Sequence, residues 1–87
     1  MEVFMVERSL KGISMDQLAA AQQRAIRTAA DMTADGTPVR YLRSTFVPDS
    51  GRCMCLFESG DRATVEALNR KAEIPFDTVT PALDLQP

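Results

Sequence analysis

Two glutamates on neighbouring predicted strands are the side chains best placed for chemistry in this sequence. Glu7 and Glu58 each end a run of apolar and β-branched or aromatic residues that is typical of a strand. Two carboxylates in a partly dry cleft can share a proton, which raises the pKa of one and suits it to general acid or base catalysis. The same pair could bind a hard divalent cation. The structural alternative is a salt-bridge network in which Arg43 pairs with one of them.

Tyr41 and Arg43 are candidate ligand contacts on the strand that follows the first predicted helix. A phenol and a planar guanidinium both donate hydrogen bonds, so together they could hold an anionic or enolic ligand. Tyrosine and arginine are also enriched at protein–protein interfaces, so interface packing is the alternative. The candidate ligand-binding set is therefore Glu7, Tyr41, Arg43 and Glu58, with Glu7 and Glu58 as the candidate metal ligands.

The sulfur-containing side chains favour structural roles. Cys53 and Cys55 lie two residues apart, so they share a strand face with Cα atoms about 6.5–7 Å apart, which is long for a disulfide. We predict buried, inert thiols for this pair and packing roles for Met5 and Met54. The chain has no histidine, which excludes Ser/His/Asp and Cys/His catalytic sites and removes the commonest transition-metal ligand.

Length and composition bound the class of protein. The 87 residues allow one domain, spanning 1–87, with one core. A net charge of -2 without a concentrated basic patch argues against a nucleic-acid partner. No apolar run is long enough to cross a membrane, the N-terminus does not resemble a signal peptide, and two cysteines without an export signal indicate a cytoplasmic location.

The elements that must position these side chains follow the order strand, helix, strand, strand, helix, strand. The predicted strands are 3–8, 39–47, 52–58 and 77–85, and the first helix spans 15–33. Ser14 and Gln17 form a capping box at the start of that helix, and Asp61 caps the second helix. This order predicts an α+β, ferredoxin-like βαββαβ fold with a four-stranded antiparallel sheet and two helices on one face. Pro81 suits the last strand to a sheet edge.

The phase of the predicted hairpin decides which side chains face away from the helices. A turn at 48–51 pairs Val47 with Arg52, and the same register predicts the pairs Phe46–Cys53, Ser44–Cys55 and Leu42–Phe57. The face turned away from the helices would then carry Val3, Met5, Glu7, Tyr41, Arg43, Thr45, Met54, Leu56 and Glu58. Because an apolar surface with embedded charges is a liability in water, we predict that a second subunit covers it. The result is a homodimer of the dimeric α/β-barrel type with a partly polar cleft between its two sheets.

Four segments together carry a resemblance to a known family. They are 6–8, 39–44, 55–58 and 74–79, and they occur in the expected order. The chain is similar to a family of small bacterial proteins of unknown function that includes a nickel-binding protein. The resemblance implies a dimeric ferredoxin-like fold and a divalent metal, nickel, as ligand. In this chain, the donors would be carboxylates, Tyr41, the cysteines and backbone groups.

Two functions fit these residues. The first is a homodimeric protein that binds a metal ion or a small polar ligand in the cleft between its sheets. The second is a small cofactor-independent enzyme (an isomerase, cyclase or monooxygenase) with Glu7 or Glu58 as base and Arg43 stabilising an enolate, which is an analogy at the level of the fold. A purely structural interaction module is a third reading of the same residues.

Overall fold

The order of helices and strands matches the prediction closely. The computed structural model describes residues 1–87. Its elements are β1 (Glu2–Ser9), α1 (Met15–Ala34), β2 (Val39–Val47), β3 (Arg52–Ser59), α2 (Arg62–Lys71) and β4 (Thr78–Ala82). The sheet order is β2-β3-β1-β4 and every paired strand is antiparallel. The predicted α+β, ferredoxin-like βαββαβ fold is therefore confirmed, with β1 and β3 in the centre of the sheet.

Local sequence explains where the helices begin. The Ser14 hydroxyl accepts from the Gln17 N–H, and the Gln17 side chain accepts from the Ser14 N–H, which completes the capping box at α1. The Asp61 carboxylate accepts from the Thr64 N–H at 2.9 Å and caps α2. This hydrogen bond to the charged form lowers the pKa of Asp61.

One core lies between the helices and one face of the sheet. A single cluster of 15 buried apolar residues joins the two helices to this face. α1 contributes a stripe of small residues and one methionine, namely Ala21, Ala25, Ala29 and Met32. Small side chains let α1 approach the sheet closely, and they also leave room beside it.

The pairing of β2 with β3 departs from the predicted register at Leu42. The pairs from Val47–Arg52 to Ser44–Cys55 are as predicted, but a β-bulge between Tyr41 and Arg43 places Tyr41, not Leu42, opposite Phe57. An extra residue in one strand reverses the facing of every residue beyond it. The predicted Leu42–Phe57 pair is therefore wrong, and Tyr41 faces the helices.

The last strand is shorter than predicted. β4 ends at Ala82, and the following residues leave the sheet edge. Asp84 forms an ion pair of 2.8 Å with Arg43 on β2, the strand at the opposite edge. The C-terminal segment (residues 83–86) therefore crosses the end of the sheet face that the helices leave uncovered.

Candidate functional site

The sheet face opposite the helices, here called the open face, has an apolar middle. Val3 and Met5 on β1 lie beside Met54 and Leu56 on β3, and all four side chains are half-buried in one protomer. Their strand neighbours Phe4, Val6, Cys55 and Phe57 alternate with them and are buried under the helices. The alternation predicted for these two strands is thus the observed one.

Glu7 lies at one end of this apolar middle and is held by β3 and β4. Arg52 donates from Nη2 to Glu7 Oε1 at 2.7 Å, and the Thr78 hydroxyl donates to Oε2 at 3.4 Å. The same arginine approaches Asp77 at 3.8 Å. This end of the open face therefore carries two carboxylates around one guanidinium.

Glu58 lies at the other end, with a second group of charges. Arg40 pairs with Glu58 at 3.1 Å, and Arg43 pairs with Asp84 at 2.8 Å. The Gln86 amide also donates to Asp84, at 3.1 Å. A groove of about 770 Å³ runs between these residues and the C-terminal segment.

The structure does not bring Glu7 and Glu58 together within one protomer. Glu7 lies opposite Met54, whereas Glu58 lies opposite Val3. The two positions are four residue steps apart along the strands, which is about 13 Å at the usual rise per residue. A shared proton or a shared cation between them is therefore excluded inside a single protomer. The structural alternative named Arg43 as the partner of one glutamate, which is wrong because Arg43 pairs with Asp84. Both glutamates are nevertheless in salt bridges, with Arg52 and Arg40.

Tyr41 is separated from the other candidate residues by the sheet itself. Its ring packs edge-to-face on Phe57 with the centroids 5.5 Å apart. Gln22 of α1 donates to the Tyr41 hydroxyl at 2.9 Å, and this hydroxyl lies 2.6 Å from the Ser44 hydroxyl. The predicted pairing of Tyr41 with Arg43 around one ligand therefore fails. The reason is the bulge, which turns Tyr41 toward the helix layer.

A second cavity, which the sequence reasoning missed, lies on the helix side of the sheet. It has a volume of about 170 Å³ and lies between α1 and the strands β1, β2 and β3. Arg8, with 2% of its surface exposed, lines it together with both cysteines. The signal was present in the sequence: Phe4 and Val6 face the helices, so Arg8 must continue that alternation into the core.

The two cysteines form no disulfide and are buried as predicted. Their sulfur atoms lie 3.8 Å apart. Burial, which is the largest cause, and the neighbouring Cys55 together raise the pKa of the Cys53 thiol to about 11, while Arg8 opposes the shift. Cys53 is thus a neutral thiol at physiological pH.

The donor set for a metal ion is sparse. No group of three or more histidine, cysteine, aspartate or glutamate side chains lies together in the protomer, and the sequence has no histidine. The only carboxylates that share a contact on the open face are Glu7 and Asp77, through Arg52.

Neither helix is long and apolar enough to cross a membrane.

Comparison with known proteins shows that the chain is similar to one family. A family model described as "Nickel responsive protein SCO4226-like" matches residues 4–81. The crystal structure of SCO4226 from Streptomyces coelicolor A3(2) is similar to the chain with a TM-score of 0.79 and 26% sequence identity, over 95% of this chain and 99% of that chain. No curated protein matches the chain significantly.

Proposed function

The chain belongs to the family of SCO4226-like nickel responsive proteins, and we propose on this basis that it is a homodimeric binding protein. Two protomers pack through their open faces, and the cleft between the sheets takes a small polar ligand or a divalent metal ion. Glu7, Glu58 and Arg43 are the proposed contacts. The free cysteines support a cytoplasmic location, where thiols stay reduced.

The observation that carries the dimer is the uncovered apolar surface. The half-buried middle of the open face is continued by Leu83 and Leu85, which are 82% and 85% exposed. Asp84 between them is anchored to Arg43, so the two leucines are held in place but contact no core. A second copy of the same face would bury all of these side chains by a two-fold, self-complementary contact.

The charged ends of the open face support a ligand site inside that dimer. A two-fold contact repeats each carboxylate, so Glu7 of one protomer can approach Glu58 of the partner subunit although the two are far apart within one chain. Arg43 adds a planar donor that suits a carboxylate or phosphate group. The apolar middle of the face would keep the cleft dry, which strengthens each of these contacts.

Nickel does not fit the donors of a single protomer. Nickel in proteins favours imidazole nitrogen, and this chain offers none. Oxygen donors suit harder divalent cations such as magnesium or manganese. The proposal therefore assigns any metal ion to carboxylates contributed by both protomers, and it includes an organic ligand held by the same residues.

The experiment that tests the proposal removes the carboxylates while keeping their shape. We expect Glu7→Gln and Glu58→Gln to lose at least about tenfold in affinity, because charge-assisted contacts are worth roughly 1.5–3 kcal/mol each. The affinity is measured by calorimetric titration with nickel, magnesium and manganese, and by native mass spectrometry of the purified dimer for a retained organic ligand. Glu66→Gln on α2 is the matched control and should bind as the parent does.

The test reports on ligand binding at the cleft only if both variants remain dimeric. If Glu7→Gln and Glu58→Gln become monomeric while the parent binds no metal and retains no ligand, the two glutamates serve the interface alone. Equal binding by the parent and both variants would also contradict the assignment.

A further inference from the structure

The cavity between α1 and the sheet differs in character from the open face. Nine of its twelve lining residues are apolar. Its walls come from α1 and the sheet, together with Leu10 before α1 and Ile74 after α2. Ala21 and Ala25 leave the space because their short side chains face the sheet where a larger residue would fill it. The volume of about 170 Å³ is close to the roughly 150 Å³ of an engineered apolar cavity that admits benzene.

The charge in this cavity has no counter-ion. Arg8 is 2% exposed, and none of the ion pairs in the structure includes it. Its Nη1 donates to the Pro75 carbonyl at 3.1 Å, whereas its buried Nε has no hydrogen-bond partner. Buried charges are normally paired, because an unpaired buried charge destabilises the fold strongly. An anion would supply the partner that Arg8 lacks in the ion pairs of this chain.

The neighbouring side chains do not supply that anion. Cys53, directly opposite Arg8 on β3, keeps its proton at physiological pH because its pKa is about 11. Cys55 accepts from the Ser44 hydroxyl, which is itself joined to Tyr41 and through it to Gln22. This chain of neutral groups runs from the cavity to the exposed Gln22, so the cavity has a polar side as well as an apolar body.

We propose that this cavity binds a monocarboxylate with a compact apolar body of about the size of a benzene ring. The carboxylate accepts from the Arg8 guanidinium, and the apolar body contacts the alanines of α1 together with Leu18 and Phe46. The site lies on the opposite side of the sheet from the proposed dimer cleft. A failure of one proposal therefore leaves the other unaffected.

The test is a titration of the full-length protein with sodium benzoate at pH 7, followed by two-dimensional amide NMR. We expect saturable shifts at Ala21, Ala25, Cys53 and Cys55, and weaker binding of the neutral analogue benzyl alcohol. Arg8→Met keeps the length of the side chain and removes the charge, so it should lose about tenfold or more in benzoate affinity. Arg27→Met, on the exposed surface of α1, is the matched control and should bind as the parent does.

A second variant guards against a folding defect in Arg8→Met. Ala21→Leu fills part of the cavity and keeps Arg8 in the sequence, and it should abolish benzoate binding while the amide spectrum stays dispersed. The proposal is overturned if benzoate leaves the cavity amides unshifted in the parent. It is equally overturned if Arg8→Met and Ala21→Leu bind benzoate as tightly as the parent does.

Discussion

Single residues in this protein take their properties from the layer they face. Glu7 and Arg8 are neighbours in the sequence, yet Glu7 projects to the open face and pairs with Arg52, while Arg8 is buried in the core. Cys53 shares the core side with Arg8, and burial keeps its thiol protonated. One step along a strand therefore separates a solvent-screened ion pair from a charge in a low-dielectric cavity.

The raised pKa of Cys53 predicts a loss of stability at alkaline pH. In the unfolded chain the thiol loses its proton near its ordinary pKa of 9.0, whereas in the folded chain it keeps the proton until about pH 11. The folded state therefore binds more protons between these values, so the free energy of unfolding should fall as the pH rises from 9 to 11. Urea denaturation at a series of pH values measures this slope. Cys53→Ala should show a shallower slope, and parallel curves for the two proteins would contradict the assignment.

Among the elements, one contact between loops and one irregularity in a strand decide which residues lie next to each other. The β2–β3 turn packs against the loop after β1, where the Leu10 N–H donates to the Gly51 carbonyl at 2.7 Å. Gly51 has a φ of +77°, and a Cβ there would overlap the backbone of Lys11. The bulge at Leu42 is the second such feature, because it alone decides that Tyr41 faces α1. These two features therefore set which residues can meet across the sheet.

Gly51→Ala tests the first of these contacts. The left-handed backbone costs about 1–2 kcal/mol for a residue with a Cβ, and the overlap with Lys11 adds an overpacking cost of about 1–3 kcal/mol. Gly36 also has a positive φ, of +96°, but open space around it, so Gly36→Ala should show only the first cost. Chemical denaturation of both variants measures the difference. Equal losses of stability in the two variants would contradict the overlap with Lys11, because they would mean that the loop after β1 moves aside at no energetic cost.

For the whole molecule, the open face is the surface that a single chain leaves largely uncovered. Both helices cover one side of the sheet, so the other side depends on its own side chains, on residues 83–86 and on any partner. Half-buried Met5, Met54 and Leu56 form a surface that monomeric proteins usually avoid. A small domain also gains stability from self-association because it buries a limited share of its own surface.

Leu56→Glu tests the proposed dimer. A charge buried without a partner at the centre of the interface should weaken association by about a hundredfold or more. Ile26→Glu is the matched control, because Ile26 is 41% exposed on α1 and lies outside the proposed contact. Sedimentation equilibrium measures the mass of each variant, and circular dichroism checks the fold. A parent protein that is already monomeric, or a Leu56→Glu variant that stays dimeric, would overturn the interface.

Much of the fold was predictable because its determinants lie close together in the chain. The capping box at Ser14, the cap at Asp61, the turn at 48–51 and the alternation along β1 each involve residues within a few positions of one another. The order of the elements and the antiparallel sheet with β1 and β3 in its centre follow from these local signals together with general rules of topology. The sequence therefore determined the architecture and which residues of β1 and β3 face away from the helices.

Only the tertiary structure decided the partners of the charged and polar side chains. Glu7 and Arg52 are 45 residues apart in sequence, and Arg43 and Asp84 are 41 apart, so no local pattern encodes either ion pair. The bulge at Leu42 moved Tyr41 to the helix side, because packing on Phe57 and the hydrogen bond with Gln22 depend on β3 and α1 being in place. The cavity at Arg8 likewise exists only once the alanines of α1 lie over the sheet. Contacts between distant segments carry no periodicity, and these contacts decide which residues can act together.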